Sequence, residues 1–103
     1  MTQTIKFGLQ EHVIDLIKNV FSKHSQLEKV IIYGSRAKGN HKNGSDIDLT
    51  LIGKNLNLDI LNQINLDLDD LLLPYTFDIS IYRYIDNPDM ISHIKRVGKE
   101  FYP

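Results

Sequence analysis

Hydrophobic and polar positions along the chain switch between two periods. Apolar residues at Leu9, Val13, Leu16, Ile17, Val20 and Phe21 recur at intervals of three and four, which predicts an amphipathic helix from Leu9 to about Ser25. Glu28 to Tyr33 then carries the β-branched and aromatic run Val30-Ile31-Ile32-Tyr33, the mark of a buried strand, and Gly34-Ser35 ends it. A single helical turn fits just after Ser35. Gly39 to Ser45 is polar, holds two glycines and an Asn43-Gly44 turn signal, and reads as a loop.

From Asp46 to Ile52 the period is two. Ile47, Leu49 and Leu51 share one face; Asp46, Asp48 and Thr50 share the other. Ile60, Leu61, Ile64, Leu68, Leu71 and Leu72 return to the helical period, so Asn57 to Leu72 is predicted as a helix, capped by Asn57 or Asn55 and closed by Pro74. Thr76 to Tyr82 alternates again, Phe77, Ile79 and Ile81 against Asp78, Ser80 and Tyr82. A last helix is predicted from Pro88 through about Phe101, with Met90, Ile91, Ile94, Val97 and Phe101 as its stripe. The order α-β-α-β-α-β-α points to an α/β fold with a small mixed sheet and helices mainly on one face. Only about a dozen residues join the first two strands, too few for a full helical crossover, so that pair is expected to be antiparallel.

Composition narrows the class. With 103 residues, 42% hydrophobic and 24% charged, the chain is expected to form one globular domain over residues 1–103. A formal net charge of −1, from 12 basic and 13 acidic residues, argues against a protein that coats nucleic acid or a membrane through a strong positive field. The absence of cysteine excludes disulfides, thiolate catalysis and cysteine-bound metals. No apolar run approaches the roughly 18–20 residues of a membrane span. Met1 to Gln10 lacks the layout of an export signal, so a cytoplasmic location is expected.

The polar faces of the two alternating segments carry the chemistry. Asp46 and Asp48 stand about 6.6 Å apart on one face. Should Asp78 come from a neighbouring strand at the same level, three carboxylates converge. Two such charges about 4 Å apart repel by about 4 kcal/mol at an effective dielectric of 20, and a divalent cation removes the conflict. Oxygen ligands alone suit Mg²⁺ or Mn²⁺, and magnesium completes its shell with water and substrate phosphates. Aspartate is a poor strand former, so these three residues weaken their strands without a packing gain, as functional residues do. At Tyr33-Gly34-Ser35-Arg36, a bare Cα, turn amides, a hydroxyl and the basic Arg36 and Lys38 suit a phosphate. Arg36 and Lys38 can equally be solvated side chains near a turn. The segment is not a P-loop, whose glycine and Lys-Ser/Thr spacing it lacks.

Taken jointly, Gly34-Ser35, ten residues, Asp46-x-Asp48 and a third strand aspartate at Asp78 resemble the nucleotidyltransferase signature of the DNA polymerase β superfamily. The fuller string Gly34-Ser35-Arg36-Ala37-Lys38-Gly39 … Gly44-Ser45-Asp46-Ile47-Asp48-Leu49 is similar to the minimal nucleotidyltransferases, the antitoxin half of HEPN–MNT toxin–antitoxin pairs. That resemblance spans nearly the whole chain. It implies that Asp46, Asp48 and Asp78 are catalytic and hold two Mg²⁺ ions (or Mn²⁺), that Gly34 and Ser35 grip the phosphates of ATP, and that Arg36 and Lys38 help bind the nucleotide. It also implies a HEPN toxin, an RNase, as partner, with AMP transferred to a toxin tyrosine by a two-metal mechanism and the toxin thereby silenced. A hetero-oligomer with the toxin is expected, a homodimer being a further option, without direct nucleic-acid or membrane contact. Two other functions remain open from the sequence: a non-catalytic antitoxin that neutralises by direct binding, and a nucleotidyltransferase for a small molecule such as an antibiotic. The four histidines show no ligand spacing. Asp67, Asp69 and Asp70 read as a solvated helix face. Tyr82 and Tyr84 suit either a base or partner contact or cross-strand packing.

Overall fold

The computed structural model describes residues 5–103. A hairpin of β1 (Ile5–Lys6) and β2 (Leu9–Gln10) leads into α1 (Glu11–Ser22), β3 (Lys29–Tyr33), α2 (Gly34–Lys38), β4 (Ile47–Ile52), α3 (Leu58–Asp69), β5 (Phe77–Ile81), a 3₁₀ turn (Tyr82–Tyr84), α4 (Pro88–Val97) and β6 (Lys99–Tyr102). The main sheet has the strand order β5-β4-β3-β6. β3 runs antiparallel to β4, as expected from the short connection, and β4 runs parallel to β5, with α3 as the crossover. The α/β class and the small mixed sheet are those expected.

Alternation divides the sheet into two faces. On one, Val30, Ile32, Ile47, Leu49 and Leu51 are fully buried beneath α1 and α3, together with Ile17, Phe21, Ile64 and Leu68. Burying each such side chain contributes about 1.5–3 kcal/mol relative to leaving it exposed. The Phe21 ring meets Phe101 edge-on at 6.1 Å and Tyr102 at 5.7 Å, tying α1 to β6. The other face carries Ile31, Tyr33, Asp48, Thr50, Asp78 and Ser80, the opposite parity of the same strands. Only the shorter α4 lies there, beside β3, with His93 edge-on to Tyr33 at 6.1 Å.

Local chemistry sets the helix ends. Asn57 caps α3, its Oδ1 accepting from the Ile60 amide at 2.9 Å. Asn87 does the same for α4, accepting from Asp89 at 2.9 Å, with Pro88 in the first helical position.

The structure adds to the expected order at both ends and trims its helices. The first helix begins at Glu11, not Leu9, because Leu9 pairs with Lys6 in the hairpin, and it ends at Ser22, short of Ser25. α3 ends at Asp69; Leu72, in the expected stripe, is 88% exposed with φ 54°. The last helix does not reach Phe101. It stops at Val97, Gly98 turns extended with ψ 144°, and residues 99–102 become the edge strand β6 on β3. Phe101 kept the helical spacing by coincidence; a single apolar residue at the right interval satisfies either period over so short a stretch.

Candidate active site

The polar face of the sheet gathers the candidate residues at one edge. Asp48, second in β4, is the register partner of Tyr33 on one side and of Asp78 in β5 on the other. Neighbouring strands lie about 4.8 Å apart, so the two aspartates stand side by side on one face. Asp46 precedes β4 with the same parity and is exposed; Asp78 is exposed and Asp48 half-buried. The electrostatics follow from this crowding. Burial pushes the Asp48 carboxyl above the ordinary carboxylate value, the charges of Asp78 and Asp46 push it further, and Arg36 pulls weakly back.

Gly34 closes the edge from above. Its φ is +74°, in the left-handed region, and a Cβ there would collide with Asp48 Oδ2. The glycine is thus required for its turn, and its bare Cα also leaves room for the carboxylate in the position it takes. Ser35 follows in the first turn of α2, which no side chain caps.

Arg36 is placed differently from Lys38. It is only 4% exposed. Its Nε and Nη2 donate to the Ser45 carbonyl at 3.2 and 3.0 Å, its Nη1 donates to the Phe7 carbonyl at 2.9 Å, and its guanidinium lies 5.3 Å from the Tyr75 ring centre. Three donors of the planar fork therefore hold backbone, and one of those carbonyls belongs to the residue just before Asp46. Lys38 is exposed at the end of α2.

A row of hydroxyls lies behind the carboxylates, unassigned from the sequence. Ser80 Oγ donates to Thr50 Oγ1 at 3.0 Å, across β5 and β4, and Thr50 is fully buried. The Tyr33 hydroxyl stands next to Ser80; burial raises its pKa, Ser80 opposes this, and the charges of Asp78 and Asp48 add to the rise. The signal for all three was present in the strand parity that singled out the aspartates. Tyr84 lies in the 3₁₀ turn, 49% exposed, its hydroxyl donating to the Leu56 carbonyl at 3.3 Å and Arg83 lying over its ring at 5.1 Å.

Among the described residues, no three His, Asp or Glu side chains are grouped so as to hold a metal ion as they stand. The backbone fixes the positions of the three aspartates, while each carboxylate turns on two side-chain bonds. The donor set nonetheless suits a hard divalent cation: carboxylates only, one of them carrying a raised pKa that a cation would reverse. The edge is an open shelf. A groove of about 470 Å³, lined by Leu51, Ile52, Lys54, Tyr82 and Arg83, lies at the opposite end of β4. Its Arg83 is spent on the Lys54 carbonyl at 2.6 Å and on that of Leu56, whereas the carboxylates of the shelf are free of such partners among the described residues.

Residues 15–103 match the family model described as "Polymerase beta, Nucleotidyltransferase". No curated protein matches. Among solved structures, the chain is similar to a chain of a toxin–antitoxin complex with AMP-PNP, with TM-score 0.70 and 18% identity over 85% of this chain and 71% of that one. It is similar to a chain of the toxin–antitoxin MntA–HpeT, in a mutant with two aspartates replaced by glutamate, with TM-score 0.65 and 18% identity over 86% and 70%. A Sulfolobus solfataricus protein described as a nucleotidyltransferase aligns with TM-score 0.53 and 20% identity over 84% and 73%.

Proposed function

The chain belongs to the polymerase β nucleotidyltransferase family, and from that premise we propose that it transfers AMP from ATP to a tyrosine hydroxyl of a HEPN-type toxin and so acts as an antitoxin. The observation that carries the reading is the shelf itself: Asp48 and Asp78 in direct register beneath a glycine whose missing side chain admits the Asp48 carboxylate. The fold neighbours add support, one being a toxin–antitoxin complex with an ATP analogue and another an antitoxin complex altered at two aspartates.

In this reading Asp46, Asp48 and Asp78 hold divalent cations. Those cations, Mg²⁺ or Mn²⁺, supply charge neutralisation on the triphosphate and acidity at the acceptor hydroxyl. The chain's own groups do the rest. Gly34 lets the phosphates approach the backbone, and the Ser35 hydroxyl donates to a phosphate oxygen. Asp78, exposed at the outer edge, takes the acceptor's proton. The acceptor oxygen then bonds to the α-phosphorus, the bond from that phosphorus to the pyrophosphate oxygen breaks, and pyrophosphate leaves. Arg36 acts as a positioning residue, fixing the loop that delivers Asp46, and Lys38 adds positive charge at the approach. The Tyr33–Ser80–Thr50 hydroxyls keep the strands behind Asp48 and Asp78 polar and in register. Asp48 is half-buried, so its ionised form is costly until a cation arrives, and binding and charging of the site are coupled.

The test is intact-mass spectrometry of a HEPN toxin incubated with this protein, ATP and Mg²⁺. A mass gain of one or more AMP units, lost with Asp46→Ala plus Asp48→Ala, is expected. An inhibited but unmodified toxin would replace the enzyme with a binding antitoxin, and transfer that survives the double substitution would overturn the site.

A further inference from the structure

A second charged site lies apart from the carboxylate shelf. A hollow of about 330 Å³ opens between the β1–β2 hairpin, the end of α2, the start of the 39–45 loop and the first residue of β6. Lys6, Lys38 and Lys99 line it, Arg36 and His41 complete its wall, and none of its lining residues is acidic. Gly34, Ser35 and the three aspartates are not part of it. Among the described residues the ion pairs are His24–Asp67 and Lys29–Glu100, so none of these cationic side chains is matched by a carboxylate. In a chain of net charge −1, such grouping is a local segregation of charge that the overall balance does not require.

The hollow is built rather than incidental. Phe7 sits at φ 59° and Gly8 at φ 72°, a two-residue turn in which phenylalanine adopts a conformation that L side chains disfavour. Two contacts hold it there. Arg36 donates to the Phe7 carbonyl at 2.9 Å, and the Nε2 end of His41 packs so closely on Gly8 that a Cβ would collide with it. Among the described residues, His41 Nδ1 is buried with no hydrogen-bond partner. Strain and an unsatisfied polar atom both occur at functional sites more often than elsewhere.

We propose that this hollow binds a phosphoryl anion, either free diphosphate or the terminal phosphates of a nucleotide, held by Lys6 and Lys99. A volume near the lower end for ligand pockets fits a group of that size, and multiple ammonium donors without a competing carboxylate suit a multiply charged oxyanion. The site is independent of catalysis at the shelf.

The test is an amide-resolved NMR titration of the Asp46→Ala, Asp48→Ala protein without divalent cations, so that the proposed catalytic site does not contribute. Pyrophosphate should move the resonances of Lys6, Gly8, Gly39 and His41 saturably. The Lys6→Glu, Lys99→Glu variant should weaken binding at least about tenfold, and Lys6→Gln, Lys99→Gln less, with both retaining the dispersed spectrum of the parent. A non-hydrolysable ATP analogue in a parallel titration separates the sources: tighter pyrophosphate assigns the free anion, tighter analogue the nucleotide tail. Shifts that do not saturate, that are reproduced by equal ionic strength of chloride, or that persist unchanged in the double glutamate variant would overturn the proposal.

Discussion

The two faces of β4 divide the molecule's tasks within six residues. Ile47, Leu49 and Leu51 look into the core and are completely buried; Asp48 and Thr50, between them, look to the open face, where Tyr33, Asp78 and Ser80 join them. The first set is satisfied as folded. The second is crowded with like charge, and Asp48 is held above its ordinary pKa by burial and by its acidic neighbours. One face therefore supplies stability and the other gives some up, as expected where a site must be completed from outside.

Substitutions that respect or violate this division should separate cleanly. Leu49→Ala is expected to cost about 2–5 kcal/mol in urea unfolding, because the site is sealed by α1 and α3 and leaves a cavity. One residue away, Asp48→Asn should cut AMP transfer on the order of 100-fold or more while raising the melting temperature in the absence of metal. A fall in both would break the comparison. Gly34→Ala should lose about 1–2 kcal/mol to left-handed strain and lose transfer as well, since the new methyl displaces the Asp48 carboxylate. Thr50→Val, which keeps shape and removes a buried hydroxyl, should cost about 1 kcal/mol, with Ser80 losing its partner.

Two carboxylates give opposite pH signatures. Asp48 has a folded-state pKa above its ordinary 3.8, so the native state holds its proton more tightly and this contribution to stability fades as pH rises through the raised value. Asp67 is the reverse: hydrogen bonds from Gln63 at 3.0 Å and His24 at 3.1 Å lower its pKa. Its contribution is present above 3.8 and is lost as pH falls through the lowered value. Melting temperature against pH should therefore change slope in opposite senses in Asp48→Asn and Asp67→Asn. The Asp67 effect should be the smaller, about a degree or two, as for ion pairs near the surface in general.

Much of this was legible in the sequence wherever one period ran long enough. The alternation of 46–52 and 76–82 located β4 and β5 and assigned their faces; that Asp48 stands beside Asp78 follows only from the parallel pairing of those strands. The short connection at 34–45 pointed to the antiparallel pairing that β3 and β4 adopt. What could not be read depended on contacts distant in sequence. β6 shared its apolar spacing with α4, and only pairing with β3 distinguishes the two. The β1–β2 hairpin is two pairs long, below the reach of any pattern. Arg36 looked like a phosphate ligand beside Gly34-Ser35, yet its donors meet the carbonyls of Ser45 and Phe7, the latter 29 positions away.

The central claim is that the acidic edge of the open face takes up a nucleotide together with a divalent cation. Isothermal titration of a non-hydrolysable ATP analogue, with and without Mg²⁺, addresses it directly. The account predicts saturable binding that requires Mg²⁺ and disappears in Asp46→Asn, Asp48→Asn protein that still melts cooperatively. Binding of equal strength without Mg²⁺, or unchanged in that variant, would contradict it.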